Sequence, residues 1–128
     1  MKITASEAEA FFAHPSQRKG AMLDGPLPEG LDYFACEGVC GVFHWGHWPG
    51  VLMAHVGAKP EAWGRSTSPS LSILREAWAH FEPERIVAFI REGNRATCRF
   101  AERLGFQPDG RIPLAEPVMI YGWRLECL

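Results

Sequence analysis

Apolar and polar residues alternate with the period of two typical of strands in some parts of the 128-residue chain, and with the period of about 3.6 typical of helices in others. Short strand-like runs occupy 32–37, 39–45 and 51–56, and the segments that join them are brief, which predicts an antiparallel meander. The run at 85–90 is apolar almost throughout and predicts a central strand that is buried on both faces. Further strands are expected over 2–4, 110–114 and 118–125.

Helices are predicted where capping residues precede apolar positions three and four residues apart. Near the start of the chain, Ser6 and Glu9 have capping-box spacing. Ser68 followed by Pro69 predicts the start of a second helix, because proline is favoured at the first helical position. The segment 20–30 is rich in glycine and proline and is expected to form a loop.

The last predicted helix is the best-defined element of the sequence. Asn94 is a favourable N-cap, because its side-chain oxygen can accept a hydrogen bond from a free N–H of the first turn. Gly105 suits the left-handed position after the helix, and Phe106 can fold back onto it. An apolar stripe runs between these caps at Thr97, Phe100, Ala101 and Leu104. The elements together predict one α+β domain over residues 1–128.

Composition narrows the range of functions. The net charge is −2, so no basic footprint indicates a nucleic-acid partner. The apolar runs are much shorter than the ~20 residues that span a bilayer, and no secretory signal is visible, so we expect a cytoplasmic protein without a membrane partner. In that setting the cysteines are expected to be reduced thiols: Cys36, Cys40, Cys98 and Cys127.

The segment 86–106 resembles the second half of a GNAT-type N-acetyltransferase, in which a strand leads to an Asn-initiated helix that ends in Leu-Gly-Phe. The order of predicted elements also resembles a compact GNAT fold, as in small phage-type or divergent members, with the second helix reduced or lost in the 20–30 loop. The resemblance implies a mixed, mostly antiparallel central sheet flanked by helices. It also implies acetyl-CoA as the co-substrate and an amine as the acetyl acceptor.

A coenzyme site follows from this resemblance. Gly64 matches the first glycine of the family's phosphate loop, whereas Ser66 stands where glycine or alanine is usual and Glu61 replaces the usual Gln or Arg. Free N–H groups at a helix N-terminus bind phosphates, and the main chain of 56–58 is expected to pair with the pantetheine arm. The predicted coenzyme contacts are Val56, Gly57, Ala58, Trp63, Gly64, Arg65, Ser66, Thr67, Ser68, Asn94 and Arg95.

Amide formation requires a neutral amine, so a general base is expected near the acyl carbon. His55, late in the strand that leads to the phosphate loop, is the first choice, because the ordinary pKa of histidine suits that role. Glu37 is a second choice, and His44 and His47 are lesser ones. The acceptor is expected to approach from the side of the aromatic and imidazole side chains of Trp45, His47 and Trp48.

The acid that protonates the departing thiolate is not evident. Members of the family commonly carry Tyr four residues before the glycine of Leu-Gly-Phe, and Ala101 occupies that position. Cys98, Tyr121 or water could replace it, and a thiolate with a pKa near ~8.5 could also leave unaided. The sequence does not decide whether the acceptor is a small molecule or a protein, and it leaves a homodimer open.

Two alternatives remain open at this stage. A GNAT fold that binds partners without turnover, as in a phage-like assembly, would explain the altered phosphate loop and Ala101. A zinc-binding domain is suggested by the spacing of Cys36, Cys40, His44 and His47. Residues four apart on one strand are separated by about 13 Å and do not converge on one ion, so no metal ligands are predicted.

Overall fold

The computed structural model describes residues 1–23 and 25–125; Cys127 and the last residues of the predicted domain lie outside this description. The elements follow the chain in this order: β1 (Lys2–Ile3), α1 (Ala5–Ala8), a 3₁₀ turn (Glu9–Phe12), α2 (Pro15–Gly20), β2 (Asp32–Cys36), β3 (Val39–Trp45), β4 (Val51–Ala58), a second 3₁₀ turn (Pro60–Ala62), α3 (Thr67–Phe81), β5 (Arg85–Arg91), α4 (Arg95–Arg103), β6 (Gln107–Ile112) and β7 (Val118–Trp123).

One sheet carries all seven strands in the order β1-β2-β3-β4-β5-β7-β6. The β4–β5 pair is parallel, and the other neighbouring pairs are antiparallel. A parallel pair requires a crossover connection, and α3 provides it. The predicted fold class, an α+β fold with a mostly antiparallel sheet flanked by helices, is therefore confirmed.

The parallel pair is joined over only part of its length. Val51–Met53 of β4 are in register with Arg85–Val87 of β5, and the pairing stops there. Beyond this point β4 remains paired with β3 as far as Ala58, and β5 remains paired with β7 as far as Arg91. The two strands are held by their outer neighbours while they diverge, which leaves a gap in the middle of the sheet.

The two faces of the sheet bury separate clusters. On one face the side chains of Phe43, Leu52 and Ile86 pack beneath α3 and α4. On the other face Phe12 and Val42 pack with the α1–α2 segment. Because successive side chains of a strand point to opposite faces, β4 contributes Leu52 to the first face and His55 to the second.

The predicted C-terminal helix, α4, is confirmed with both of its caps. The Asn94 side chain accepts a hydrogen bond from the Thr97 N–H at 3.3 Å. Gly105 has φ of +98°, and the N–H groups of Gly105 and Phe106 donate to the carbonyls of Glu102 and Ala101 at 3.0 Å each. These two bonds are those of a Schellman cap.

Three local predictions need correction. The N-terminal capping box is formed by Thr4 and Glu7, not by Ser6 and Glu9, because the helix begins two residues earlier. Helix α3 begins at Thr67 with Ser66 as its N-cap, so the cap is not Ser68. Helix α2 was not predicted; Pro15 occupies its first turn and the His14 side chain accepts the Ser16 N–H.

Candidate active site

A cavity of about 440 Å³ lies where β4 and β5 diverge. It extends from the space between α3 and α4, through the gap in the sheet, to α2 on the opposite face. Short side chains create much of this volume, since Gly41, Ala54, Ala58 and Ala88 stand on its strand walls. The cavity is mainly apolar, as ligand cavities usually are.

The edge of β4 presents backbone groups to the cavity. In an antiparallel ladder, every second residue turns both its N–H and its C=O towards the partner strand. The Lys59 N–H donates to the Gly38 carbonyl at 2.9 Å, so Lys59, Gly57 and His55 are the residues whose backbone groups face β3. Val56 and Ala58 consequently turn their N–H and C=O groups away from β3 and towards the gap. The Ala58 N–H donates to Gln17 Oε1 at 2.9 Å, and the Ala58 carbonyl accepts from Trp63 Nε1 at 3.2 Å. Within the described residues, no partner is found for the N–H and C=O of Val56, which therefore form an open backbone edge.

The N-terminus of α3 lies at one end of the cavity. Ser66 occupies the N-cap position, but its hydroxyl donates back to the Ala62 carbonyl at 2.8 Å and accepts no hydrogen bond from the first turn of the helix. Among the described residues, no acceptor is found for the N–H groups of Ser66, Thr67 and Ser68. Such free N–H groups, together with the helix dipole, favour a bound anion.

Ser70, in the first turn of α3, adds a second polar group to this end of the cavity. Its side chain lines the cavity and is 4 % exposed. Within the described part of the chain, its hydroxyl has no hydrogen-bond partner. Buried hydroxyl groups are normally satisfied, so a polar ligand atom would complete this site.

Two histidines meet on the face of the sheet that carries α2. The Nε2 atoms of His44 and His55 are 3.1 Å apart, and their rings are nearly parallel, with an interplanar angle of 17°. His55 Nδ1 lies 2.7 Å from the Ala21 carbonyl, and His44 Nδ1 lies 3.3 Å from the Trp45 carbonyl. Burial lowers the pKa of His55, and the neighbouring His44 lowers it further, while the bond to Ala21 opposes both.

Helix α2 crosses the gap and closes one mouth of the cavity. It is tied to β4 by the Ala58–Gln17 bond and by the contact of His55 with the residue that follows the helix. From β5, the Arg91 guanidinium donates to the Lys19 carbonyl at 2.6 Å. The helix therefore bridges the two diverging strands.

The structure brings most of the predicted coenzyme residues together. The cavity is lined by Val56, Ala58, Trp63, Gly64, Ser66 and Thr67, together with His55. Gly57 points the other way: a Cβ on it would lie 2.4 Å from the Phe12 ring, which explains the glycine. Arg65 and Ser68 are exposed beside the cavity, Asn94 caps α4, and Arg95 is exposed; none of these four is part of the lining.

Other predicted site residues lie elsewhere. Glu37 is exposed in the β2–β3 turn, with φ of +45°, and does not meet His55. Trp45, His47 and Trp48 are exposed at the β3–β4 turn, where β4 begins, at the other end of that strand from Ala58. Trp45 packs edge-on against Phe81 at 5.7 Å. None of these four side chains lines the cavity.

The groups that could replace the missing tyrosine are also outside the cavity. Ala101 does line it. Tyr121 is buried beneath α4 and donates to Glu102 Oε2 at 3.0 Å, and burial raises the pKa of its phenol. Cys98 Sγ is 3.8 Å from the Arg91 carbonyl. Neither side chain reaches the space between β4 and β5.

The zinc-like spacing does not form a cluster. Cys36 packs against the cluster beneath α3, whereas Cys40 is buried in the cluster on the opposite face, because a turn separates them. In the described part of the chain, no group of three His, Cys, Asp or Glu side chains is placed to hold a metal ion. No helix found in the described ranges has the length and apolar character needed to cross a membrane.

Sequence reasoning missed the part of the site that comes from α2. Ser16, Gln17, Gly20 and Ala21 line the cavity, yet this stretch carries no apolar stripe that marks it as a helix. Ser70 was also missed, although a polar residue in the first turn of a helix beside a glycine loop was a usable signal.

Comparisons with known proteins agree with this geometry. The sequence model described as "Acetyltransferase (GNAT) domain" matches residues 2–107. No curated protein sequence matches the chain. Many solved structures share its fold, and three of them, all at low sequence identity, serve as examples.

The first of these structures is yncA from Salmonella typhimurium with its cofactor acetyl-CoA, at 16 % identity and a TM-score of 0.70, covering 98 % of this chain and 93 % of that one. The second is an aminoglycoside acetyltransferase in complex with coenzyme A, at 11 % identity and a TM-score of 0.72, covering 99 % and 95 %. The third is a GNAT-family acetyltransferase from Bacillus anthracis, at 12 % identity and a TM-score of 0.69, covering 95 % and 92 %. With the family match spanning most of its length, the chain belongs to the GNAT acetyltransferase family.

Proposed function

We propose that the chain is an N-acetyltransferase that moves the acetyl group of acetyl-CoA to an amine. The observation that carries the proposal is the gap between β4 and β5, which opens into a cavity of about 440 Å³ with an unpaired backbone edge at Val56. Membership of the GNAT family and the folds solved with acetyl-CoA or coenzyme A support it.

The cavity suits an extended, amide-containing arm. A strand edge binds such a chain through its N–H and C=O groups, and apolar walls bury the methylenes. Val56 offers the open edge, and Phe43, Ile73 and Leu74 supply apolar walls. The free N–H groups at the start of α3 are placed for the negatively charged pyrophosphate. In this arrangement the thioester lies near the gap, on the side of His55.

The acceptor ammonium loses two protons in this reaction: the base takes one before the attack, and water takes the second from the nitrogen once the C–N bond has formed. The base takes a proton from the acceptor ammonium, and the freed nitrogen lone pair attacks the thioester carbonyl carbon. The C–S bond then breaks and its electron pair remains on sulfur. His55 is the proposed base, because it is the histidine on the cavity lining. Since Ala101 offers no proton, the thiolate leaves unaided and is protonated by water.

Calorimetric titration and thermal unfolding with acetyl-CoA and with acetyl-pantetheine test the binding part of this proposal. The full coenzyme is expected to bind more tightly, because acetyl-pantetheine fills the gap but lacks the pyrophosphate that α3 would hold. A hundredfold excess over Kd would stabilise the fold by about 2.7 kcal/mol. Absence of binding at millimolar acetyl-CoA would refute the proposal.

Turnover is then measured as release of the free thiol with a panel of small amines and peptide N-termini, which also separates the two acceptor classes. His55→Gln should retain acetyl-CoA binding and lose about 10²-fold or more in kcat/KM. Unchanged kcat/KM in that variant would remove His55 from the role of base.

A second candidate function is binding of acyl-CoA without turnover. Two observations favour it: Ala101 occupies the position where the acid is usual, and both ring nitrogens of His55 already have protein partners. Tight acetyl-CoA binding with no thiol release from any amine in the panel would support this alternative.

A further inference from the structure

We propose that His44 and His55 act together as one base, with a single proton bound between their Nε2 atoms. This inference rests on the proposed function, because it concerns the base of the acetyl transfer. It adds a residue, His44, that lies outside the cavity and acts through His55.

The contacts with backbone carbonyls indicate which ring nitrogens of His44 and His55 carry protons. A carbonyl oxygen only accepts hydrogen bonds. The Ala21 carbonyl, 2.7 Å from His55 Nδ1, therefore requires a proton on that nitrogen. The Trp45 carbonyl, 3.3 Å from His44 Nδ1, accepts a hydrogen bond from the second ring in the same tautomer, with the proton on Nδ1. Each neutral imidazole carries only one proton, so both Nε2 atoms are then left with a lone pair.

These two lone pairs face each other at 3.1 Å. That separation is a normal length for an N–H···N hydrogen bond but is repulsive for two bare lone pairs. One added proton turns the repulsion into a bond and satisfies every polar atom of the pair. The two Nε2 atoms therefore form a site for one proton. Binding of a second proton is opposed by the positive charge that the first one brings.

Among residues 1–23 and 25–125, the surroundings do not supply another charge to this site. Charged side chains on the neighbouring elements are paired or lie in solvent: Arg18 with Glu9, Arg91 with Glu116, and Lys19 exposed. On the same face of the sheet, burial raises the pKa of the Cys40 thiol to about 12 and raises the pKa of Tyr33, so both groups stay neutral.

An N–H bond of the acceptor ammonium breaks, directly or through one water, and an N–H bond forms at the shared Nε2 position. The released lone pair forms the C–N bond, and the thioester C–S bond breaks with its electron pair on sulfur. The second N–H proton then passes from the new amide nitrogen to water, and the thiolate takes up a proton from water. His44 is half-buried at the end of β3, so the captured proton can pass from its ring to solvent.

A nitrogen NMR titration of the histidine rings tests the shared proton without any acceptor. From about pH 4 to pH 9, around the ordinary histidine pKa, the two Nε2 signals are expected to move together in one step while both Nδ1 signals stay protonated. In His44→Gln the side-chain amide can donate to His55 but cannot take up its proton. There, His55 should titrate alone, without the joint movement of a second ring. The control, His80→Gln, replaces an exposed histidine of α3 and should leave the step unchanged.

The catalytic role is tested by measuring kcat/KM for acetyl transfer to phenethylamine as a function of pH. The rising limb of kcat/KM against pH should be displaced in His44→Gln, because His55 then takes up its proton without a second ring to share it. Independent titration of the two rings, or an unchanged limb in His44→Gln, would overturn the inference. A joint titration in a protein that does not bind acetyl-CoA would instead refute only the proposed function.

Discussion

The two halves of the β4–β5 pair differ in what their side chains fill. In the joined half, Val51, Leu52 and Met53 face the β5 segment that contains Ile86 and Val87, and all five are buried. In the splayed half of β4, two alanines, a glycine, a histidine and the single branched side chain of Val56 replace these large apolar side chains. The joined half packs as a core, and the splayed half leaves its volume to a cavity.

The difference shows how one strand serves both stability and binding. Close packing of large side chains holds the parallel ladder, which is the less stable kind of pairing per residue. Where the side chains are small, packing no longer draws the strands together, and their backbone groups remain available to a ligand. Functional sites of this kind forgo contacts that a core would make.

The largest effect is expected from breaking the joined half. Leu52 is 0 % exposed in the cluster beneath α3. Leu52→Ala removes buried methyl groups and leaves a cavity, so the free energy of unfolding should fall by about 4 kcal/mol. Urea denaturation followed by circular dichroism measures this change.

Val56→Ala is the matched control in the splayed half. Val56 is half-buried and already faces the cavity, so its methyl groups have fewer packing partners to lose. Its unfolding free energy should fall by about 1 kcal/mol. Equal losses in the two variants would mean that the splayed half is packed as tightly as the joined one.

A smaller effect, on binding, is expected from filling the splayed half. Ala88 lines the cavity from β5. Ala88→Phe places a ring in the space proposed for the pantetheine arm, and acetyl-CoA binding should weaken by roughly 3 kcal/mol, about two orders of magnitude in Kd. Titration calorimetry gives this value directly.

Ala79→Phe on the exposed side of α3 controls for the added aromatic ring. It should bind acetyl-CoA like the unaltered protein. If Ala88→Phe retained the original Kd, the arm would have to lie outside the gap, and the cavity would lose its proposed role.

The fold was predictable where its signals are local. Asn94, Gly105 and Phe106 each act within one helical turn, so their sequence spacing alone predicted the caps of α4. The start of α3 was predicted two residues late, because Ser66, Thr67 and Ser68 all have hydroxyl groups that suit an N-cap. In the folded chain, Ser66 occupies the N-cap position. The six-residue α2 is too short to show a period and is held by contacts that are distant in sequence, such as Ala58 with Gln17.

The site was less predictable, because it depends on where the strands separate. Strand alternation places Trp45 and His55 on opposite faces, but it does not say which end of β4 adjoins the gap. For that reason the predicted acceptor side, Trp45 with His47 and Trp48, is separated from the cavity. His55 and most of the 63–67 segment line the cavity, and both lie close in sequence to a glycine that precedes helix α3.

The smallest expected effect concerns the Ala58 N–H, which faces the gap and is already occupied. Gln17 Oε1 accepts the Ala58 N–H at 2.9 Å, so an amide of the coenzyme arm has to displace that side chain before it can bind there. Gln17→Ala should therefore tighten acetyl-CoA binding by about 1 kcal/mol, the usual net value of one hydrogen bond. Lys19→Ala, on the same helix with an exposed side chain, is the matched control for the effect of alanine on α2. Weaker binding in Gln17→Ala would show that the Gln17 amide holds the coenzyme and does not compete with it, and the splayed half would then be completed by α2.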